Sequence, residues 1–409
     1  MSDPSPAPPP GPAEPSPNTP SEAPAPPAGG NERWWRLLGA ALLSFVIWRG
    51  SLLLFDLLGL SLFPPVEKCR KQWQVFGKGH ELLNGLFRWD SAWYMNIATR
   101  GYRFDADKSS SVAFYPLLPY LARYLGLLTG NIAVAGLILS NAATVGAIYY
   151  LRRLGALLYG DAVGKLASVL LLVFPTSLFL SAFYTEGLFV CLAAGSMFYY
   201  FRGQYVWCGV LGLLAMLARS TGLVLFVALG LDLAWRLYRR QQKLSWRMLA
   251  LLLIPVGLGL FMLMQHQQVG DALAFTKTLK HWGRHRAWPW ESVVHALLHT
   301  DYTFAPNFHK TQRFLDAFGA LCFLAAGVAM AIKKQRVALW SFVLLGMLLP
   351  LSTYALGGMN RYALGLFPTF IFLAQLCQRR PELERWLIFA FSFFLAIYSL
   401  RFMQCGWVG

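Results

Sequence analysis

Apolar runs of roughly bilayer length, separated by short polar or charged stretches, recur along the chain from about Leu37 onward. A hydrocarbon core of about 30 Å takes roughly 20 helical residues, so each run predicts a membrane-crossing segment. The runs fall near 37–62, 131–151, 163–181, 184–201, 204–218, 220–236, 248–268, 314–332, 337–356, 362–378 and 385–404. That makes about eleven, several of them short or fused. No alternating pattern of barrel strands is present. Backbone polar groups in lipid need internal partners, so the expected fold is an all-α polytopic membrane protein. The stretch before the first run is different in kind. Residues 1–30 hold 12 of the 23 prolines and no large apolar side chain beyond Met1. They cannot bury enough surface to offset ordering entropy, and we expect a disordered Pro-rich cytoplasmic tail over 1–36. The membrane-embedded domain is expected over 37–409. With the first apolar run so far from Met1 there is no signal-peptide pattern, and that run is expected to be a retained anchor.

The polar gaps orient the chain. Clusters at Arg152-Arg153, Arg236/Arg239-Arg240/Lys243, Lys333-Lys334/Arg336 and Arg379-Arg380/Arg385 occupy alternate gaps, which predicts that these gaps face the cytoplasm. By alternation, two long outer loops, about 63–130 and 269–313, lie on the other side. So do the turns Phe183–Glu186, Arg219–Thr221 and Gly357–Tyr362. The first long loop carries eight Lys or Arg between Lys68 and Lys108, against the trend, but long loops follow charge poorly. Within it, 80–99 predicts a helix lying along the membrane surface. Pro116 and Pro119 predict a re-entrant or surface element over 112–128 rather than a regular span.

Composition agrees with the pattern: 56% of the residues are hydrophobic and only 13% are charged, far too apolar for a soluble chain of 409. The net charge of +17 resides largely in the anchoring clusters, so nucleic acid is not an expected partner. Cys69, Cys191, Cys208, Cys322, Cys377 and Cys405 show no CxxC or Cys/His pairing, and neither a disulfide frame nor a zinc site is expected.

Ionisable residues at span ends are costly when they face lipid, so those on the outer side are expected to share a cavity. Asp90, in FRWDSAWYMNIATRGY, reads as a general base, as a partner of Arg88, or as the N-cap of a following helix. Glu186, with Tyr184 just before it, reads as a second carboxylate, an acceptor-binding group or a helix-end hydrogen-bond partner. Arg219 and Arg361 read as phosphate or sugar contacts or as snorkelling side chains, and Arg88 is grouped with them as a donor-binding candidate. The loop from Lys277 to Trp290 supplies Lys280, His281, Arg284 and Arg286 among tryptophans. It suits either a lipid phosphate or anionic headgroups in general. His281 and His285 lack the glutamate and third ligand of a zinc helix, so no metal is expected. No phosphate-binding glycine loop or dinucleotide fingerprint is present, which favours a lipid-linked sugar donor over a nucleotide sugar.

These segments, with AFYPLLPYLARYLG, FPTSLFLSAFYTEGLFV, LARSTGL, VGDALAFTKTLKHWGRHRAWPW and NRYALGLFPTFIFLA in this order, resemble the PIG-V family, the GPI mannosyltransferase 2 group and its prokaryotic relatives. The resemblance covers roughly 37–400. It implies a GT-C type helical bundle that moves mannose from a polyprenyl- or dolichyl-phosphate donor to a hydroxyl of a lipid-linked or glycan acceptor. It further implies inversion at the anomeric carbon, no cofactor or obligatory metal, and an active site on the non-cytoplasmic face. Its catalytic aspartate maps onto Asp90, its YTES-like segment onto Tyr184-Thr185-Glu186, and its outer arginines onto Arg219 and Arg361. Gly187 stands where the family often has serine. From the residues alone, a transporter or flippase of a lipid-linked sugar is the competing expectation. It calls for ionisable groups near mid-membrane, whereas here they sit near span ends.

Overall fold

The computed structural model describes residues 34–65, 67–298, 308–354 and 356–408. Helices α1 (Trp34–Leu62), α2 (Glu67–Gln72), α3 (Glu81–Gly85), α4 (Asp90–Arg100), α5 (Leu117–Thr129) and α6 (Ile132–Tyr159) come first. Next are α7 (Asp161–Val173), α8 (Glu186–Phe201), α9 (Tyr205–Ala218), α10 (Thr221–Tyr238), α11 (Leu253–Val269), α12 (Ala274–Lys277) and α13 (Glu291–Leu298). The remainder are α14 (Phe308–Ile332), α15 (Val337–Leu351), α16 (Met359–Leu364), α17 (Pro368–Arg379) and α18 (Pro381–Met403). Among the described residues six helical stretches are long and apolar enough to cross a membrane, and three shorter apolar helices accompany them. Length and apolarity therefore vouch for six crossings rather than the eleven expected. Most of the expected tail lies outside the described residues, but Trp34–Arg36 already form the first turn of α1.

Helix α6 is the hub, packed on α5, α7 and α8, while α10 and α14 both pack against α15. The α5–α6 corner is written locally. Gly130 ends α5 in the left-handed region (φ +69), and the Asn131 side chain caps α6 by accepting from the Ala133 and Val134 amides at 2.8 and 3.2 Å. Pro116 and Pro119 open α5 without breaking it, because first-turn amides have no intrahelical acceptor to lose.

Two expected spans are interrupted, and both interruptions matter for the site. The run expected over 163–181 stops being α-helical at Val173, where Phe174-Pro175 ends it. The chain then crosses to α8 through a short 3-10 turn at Ser177–Leu180 that is wholly buried. Irregular backbone at this depth needs other partners for its carbonyls. Helix α6 supplies several: Thr144 donates to Leu180 O (2.6 Å), Ser140 to Tyr184 O (3.4 Å) and Asn141 to Ser181 O (3.5 Å). From α4, Ser91 donates to Phe183 O (3.1 Å). The second interruption divides the expected 337–356 and 362–378 runs: α15 ends at Leu351, and α16 and α17 are separated by Gly365–Phe367. The carboxylate of buried Asp316 on α14 holds that stretch, accepting from the Gly358 and Asn360 amides at 3.2 and 3.0 Å.

Contrary to expectation, Cys69 and Cys405 form a disulfide, with Cα atoms 6.0 Å apart, tying the first long loop to the segment after α18. Cys191, Cys208, Cys322 and Cys377 are free thiols. Mass-tagging of denatured protein with a maleimide polymer is expected to add four tags without prior reduction and six after it. Six tags on the unreduced protein would show the bond absent.

Candidate active site

Asp90 is the first residue of α4, and the residue before it is conformationally unusual. Trp89 has φ +53, costly for a bulky side chain by about 1–3 kcal/mol. The Tyr184 hydroxyl fastens both sides of this kink, donating to Arg88 O (2.8 Å) and accepting from the Asp90 amide (3.2 Å). The Trp89 ring packs edge-on against Trp407 with centroids 5.3 Å apart. The kink sends neighbouring side chains to different environments. Arg88 is fully buried, reaching Met403 O at 3.4 Å, with Nε and Nη1 unpartnered. Burial lowers its guanidinium to about 10, partly offset by Glu81.

Asp90 pairs with neither Arg88 nor its own helix amides. Its Oδ2 meets Arg361 Nη1 at 2.6 Å, across 271 positions of sequence. Arg361 Nε is bonded to Glu186 Oε1, and the same oxygen takes Arg219 Nη1. The four groups form one chain, Asp90–Arg361–Glu186–Arg219, in which the Glu186 side chain is 1% exposed. The Arg361 guanidinium lies over the Tyr184 and Phe179 rings at 4.7 and 5.1 Å, and Arg219 also reaches Thr185 Oγ1 at 3.2 Å. Tyr94 shares Thr185 from the α4 side at 3.3 Å. Burial, reinforced by the charge of Glu186, raises the Tyr94 hydroxyl well above the ordinary phenol range and keeps it protonated.

Asp90 and Arg361 face a cavity of 830 Å³. Phe114, Trp282 and Trp407 give it aromatic walls, Ser220 and Thr221 a polar edge, and Arg284 and Arg313 additional positive charge. Arg284 bonds the Tyr362 hydroxyl at 2.5 Å and Thr353 Oγ1 at 3.1 Å, with no carboxylate among its hydrogen-bond partners. Of the basic loop anticipated for phosphate, Arg284 alone lines this space. Lys280 and Arg286 are exposed outside the lining, and His281 bonds Ala106 O at 2.8 Å. Arg88 is likewise outside it. Glu186, Tyr184 and Arg219 lie behind Arg361 and set its position rather than forming the wall. The histidines diverge, His285 resting on the Tyr354 ring at 4.6 Å. Sequence reasoning missed Tyr94, Tyr362, Arg313, Asp316 and Trp407. Of these, Asp316, acidic within an apolar run, carried a readable signal. Gly187 has a steric reason: a Cβ there would sit 2.7 Å from Thr144 Oγ1 and 2.9 Å from Leu180 O.

Residues 50–286, more than half of the chain, match the model of the mannosyltransferase (PIG-V) family. The chain belongs to the PIG-V mannosyltransferase family. Among curated PIG-V relatives, GPI alpha-1,6-mannosyltransferase 2 of Rattus norvegicus is 34% identical over 154 residues, which is 35% of this chain and 30% of the rat protein. GPI mannosyltransferase 2 of Chaetomium globosum is 30% identical over 135 residues, 29% of this chain and 28% of that one. The matched stretch thus spans less than a third of these relatives. ArnT of Cupriavidus metallidurans, solved bound to undecaprenyl phosphate, shares the fold with a TM-score of 0.50 at 15% identity, over 91% of this chain and 65% of ArnT. The expected fold class is borne out: this PIG-V family member is a multi-pass, all-helical membrane protein with the GT-C type bundle.

Removing the shared anion tests the charge chain. Glu186→Ala leaves Arg219 and Arg361 buried without their common partner and is expected to cost about 3–5 kcal/mol. The readout is the unfolding midpoint of detergent-purified protein, and an unchanged midpoint would contradict the linkage.

Proposed function

We propose that the protein transfers mannose from a lipid-phosphate-linked donor to the hydroxyl of a lipid-linked or glycan acceptor, with Asp90 as general base. The observation that carries this reading is the Asp90 carboxylate facing a cavity in which arginines outnumber acidic groups. Family membership supports the sugar, and the absence of a nucleotide-binding loop in the sequence supports a lipid carrier.

In the proposed step the acceptor hydroxyl gives its proton to Asp90 while its oxygen attacks the anomeric carbon. The bond from that carbon to the phosphate oxygen breaks, and the lipid phosphate leaves with the bonding pair. One displacement inverts the centre, and one base suffices because phosphate departs without strong acid assistance. Arg361 links the two events electrostatically. As Asp90 takes up the proton, its hold on Arg361 weakens, and the guanidinium is freed toward an anion at the moment the departing phosphate gains charge. Glu186 remains ionised behind it and keeps Arg361 in place. Arg284, bonded only to neutral groups, is assigned to the phosphate, with the exposed stacked pair Trp288 and Trp290 at headgroup level.

Two independent features support a non-cytoplasmic site. Two of the cationic clusters, Arg236–Lys243 and Lys333–Arg336, lie at or just past the far ends of α10 and α14, whose near ends line the cavity at Thr221 and Arg313, as the charge rule for cytoplasmic loops requires. A disulfide also joins the loop bearing Asp90 to the segment bearing Trp407, and such bonds persist in oxidising compartments.

Purified protein given radiolabelled polyprenyl-phosphate mannose and a membrane extract as acceptor source is expected to form a labelled glycoside. Asp90→Asn should abolish transfer, by at least 100-fold, while the protein stays folded. Arg284→Gln should raise the donor KM about tenfold more than it lowers kcat. Wild-type protein that moves the donor across a bilayer with its sugar–phosphate bond intact, and never transfers the sugar, would overturn the reading.

A further inference from the structure

Three of the four cationic clusters that orient the chain also build something. Helix α10 runs from Thr221 in the Asp90 cavity to Arg236, and α14 from Arg313 in that cavity to Lys333 just past its end. Twenty residues of helix separate the latter pair by roughly 30 Å, the thickness of a hydrocarbon core. At that far end Arg236, Lys333, Lys334, Arg336 and Arg379, drawn from α10, the α14–α15 turn and α17, surround a second cavity of 730 Å³.

We propose that this cavity is a binding site for the phosphomonoester headgroup of a membrane lipid, a role beyond glycosyl transfer and independent of it. Among the described residues none of the five cations is ion-paired. The one carboxylate in the lining among the described residues, Asp232, is buried and engaged elsewhere, accepting from the Tyr200 hydroxyl (2.8 Å) and the Ala338 amide (3.2 Å). A topology signal needs only charges on loops, whereas this site adds a concave wall and desolvated polar atoms. Gln335 donates to Gln375 at 2.9 Å, leaving Gln335 Oε1 and Gln375 Nε2 buried without partners, the latter a donor suited to an anion. Lys334 holds φ +52 in the turn that gathers the three cations, the kind of backbone strain that concentrates at ligand sites.

The charge and the apolar lining narrow the ligand. A phosphodiester headgroup brings one negative charge, whereas a phosphomonoester brings about −1.5 to −2 at pH 7, closer to what five cations call for. Phe372, Leu376 and Val337 line the same cavity, and Trp235 and Ile332 are exposed apolar groups beside it, as an acyl chain requires. Basic pockets between helix ends on the cytoplasmic side are a recognised mode of headgroup binding.

The test uses full-length protein in detergent and native mass spectrometry with dioctanoyl phosphatidic acid. Wild type is expected to bind it measurably, and its failure to bind would overturn the site. The triple variant Lys333→Gln/Lys334→Gln/Arg336→Gln should bind at least tenfold more weakly, and Lys334→Glu alone, a single charge reversal, should weaken binding in the same direction. Inorganic phosphate is expected to bind at least tenfold more weakly than the lipid, and dioctanoyl phosphatidylcholine not measurably. Unchanged binding in both variants overturns the site. Binding of phosphatidylcholine as tight as that of phosphatidic acid overturns the phosphomonoester, and equal affinity for inorganic phosphate overturns the lipid-borne source.

Discussion

The architecture of the candidate site rests on the single carboxylate of Glu186. Sealed from solvent, it pairs with two guanidiniums at once, and its bond to Arg361 fixes the cation that in turn holds Asp90. Without that anion two arginines would be driven apart and toward water, and the Asp90 side chain would lose the partner that aims it into the cavity. The polarity of the site follows from this arrangement. One acid is spent on structure, so the charge left facing the cavity is positive apart from Asp90 itself. The space is thereby suited to an anionic ligand beside one basic carboxylate.

Such a charge chain needs backbone segments that are not helical at membrane depth, because helices alone do not bring residues 90, 186, 219 and 361 to one point. The buried 174–185 crossing delivers Glu186, and the turn at Gly358 that opens α16 delivers Arg361. Each is stabilised by polar side chains from a continuous neighbouring helix, Ser140, Asn141 and Thr144 of α6 in the first case and Asp316 of α14 in the second. The long regular helices thus serve the broken ones. These four polar residues within otherwise apolar spans are accounted for by the carbonyls and amides they satisfy.

Much of the site was legible in sequence because charge within apolar surroundings is an anomaly with few explanations. Asp90, Glu186, Arg219 and Arg361 stood out at span ends, and they meet. The breaks were not legible: apolarity continues through Pro175 into the 3-10 turn, so a hydropathy pattern carries the span on to 181. Arg88 misled because it adjoins Asp90 in sequence, while a positive φ at Trp89 turns the two side chains to opposite environments. Lys280 and Arg286 share composition with Arg284 but not its facing, and facing within a loop depends on contacts such as that of His281 with Ala106. The disulfide left no spacing signal at all, since 336 positions separate its cysteines. The cationic clusters were readable one at a time as orientation marks. The convergence of three of the four on one cavity depends on the packing of α10, α14, α15 and α17.

The link between Cys69 and Cys405 has a consequence for biosynthesis. A ribosome makes Asp90 early, but the cross-link can close only after every intervening helix has been inserted and Cys405 has been delivered to the same compartment. Trp407, which backs Trp89 beside Asp90, reaches its place with that last arrival. The pocket is therefore finished only after α18 is in place, and a half-inserted chain displays its aspartate without the wall that would confine a substrate beside it.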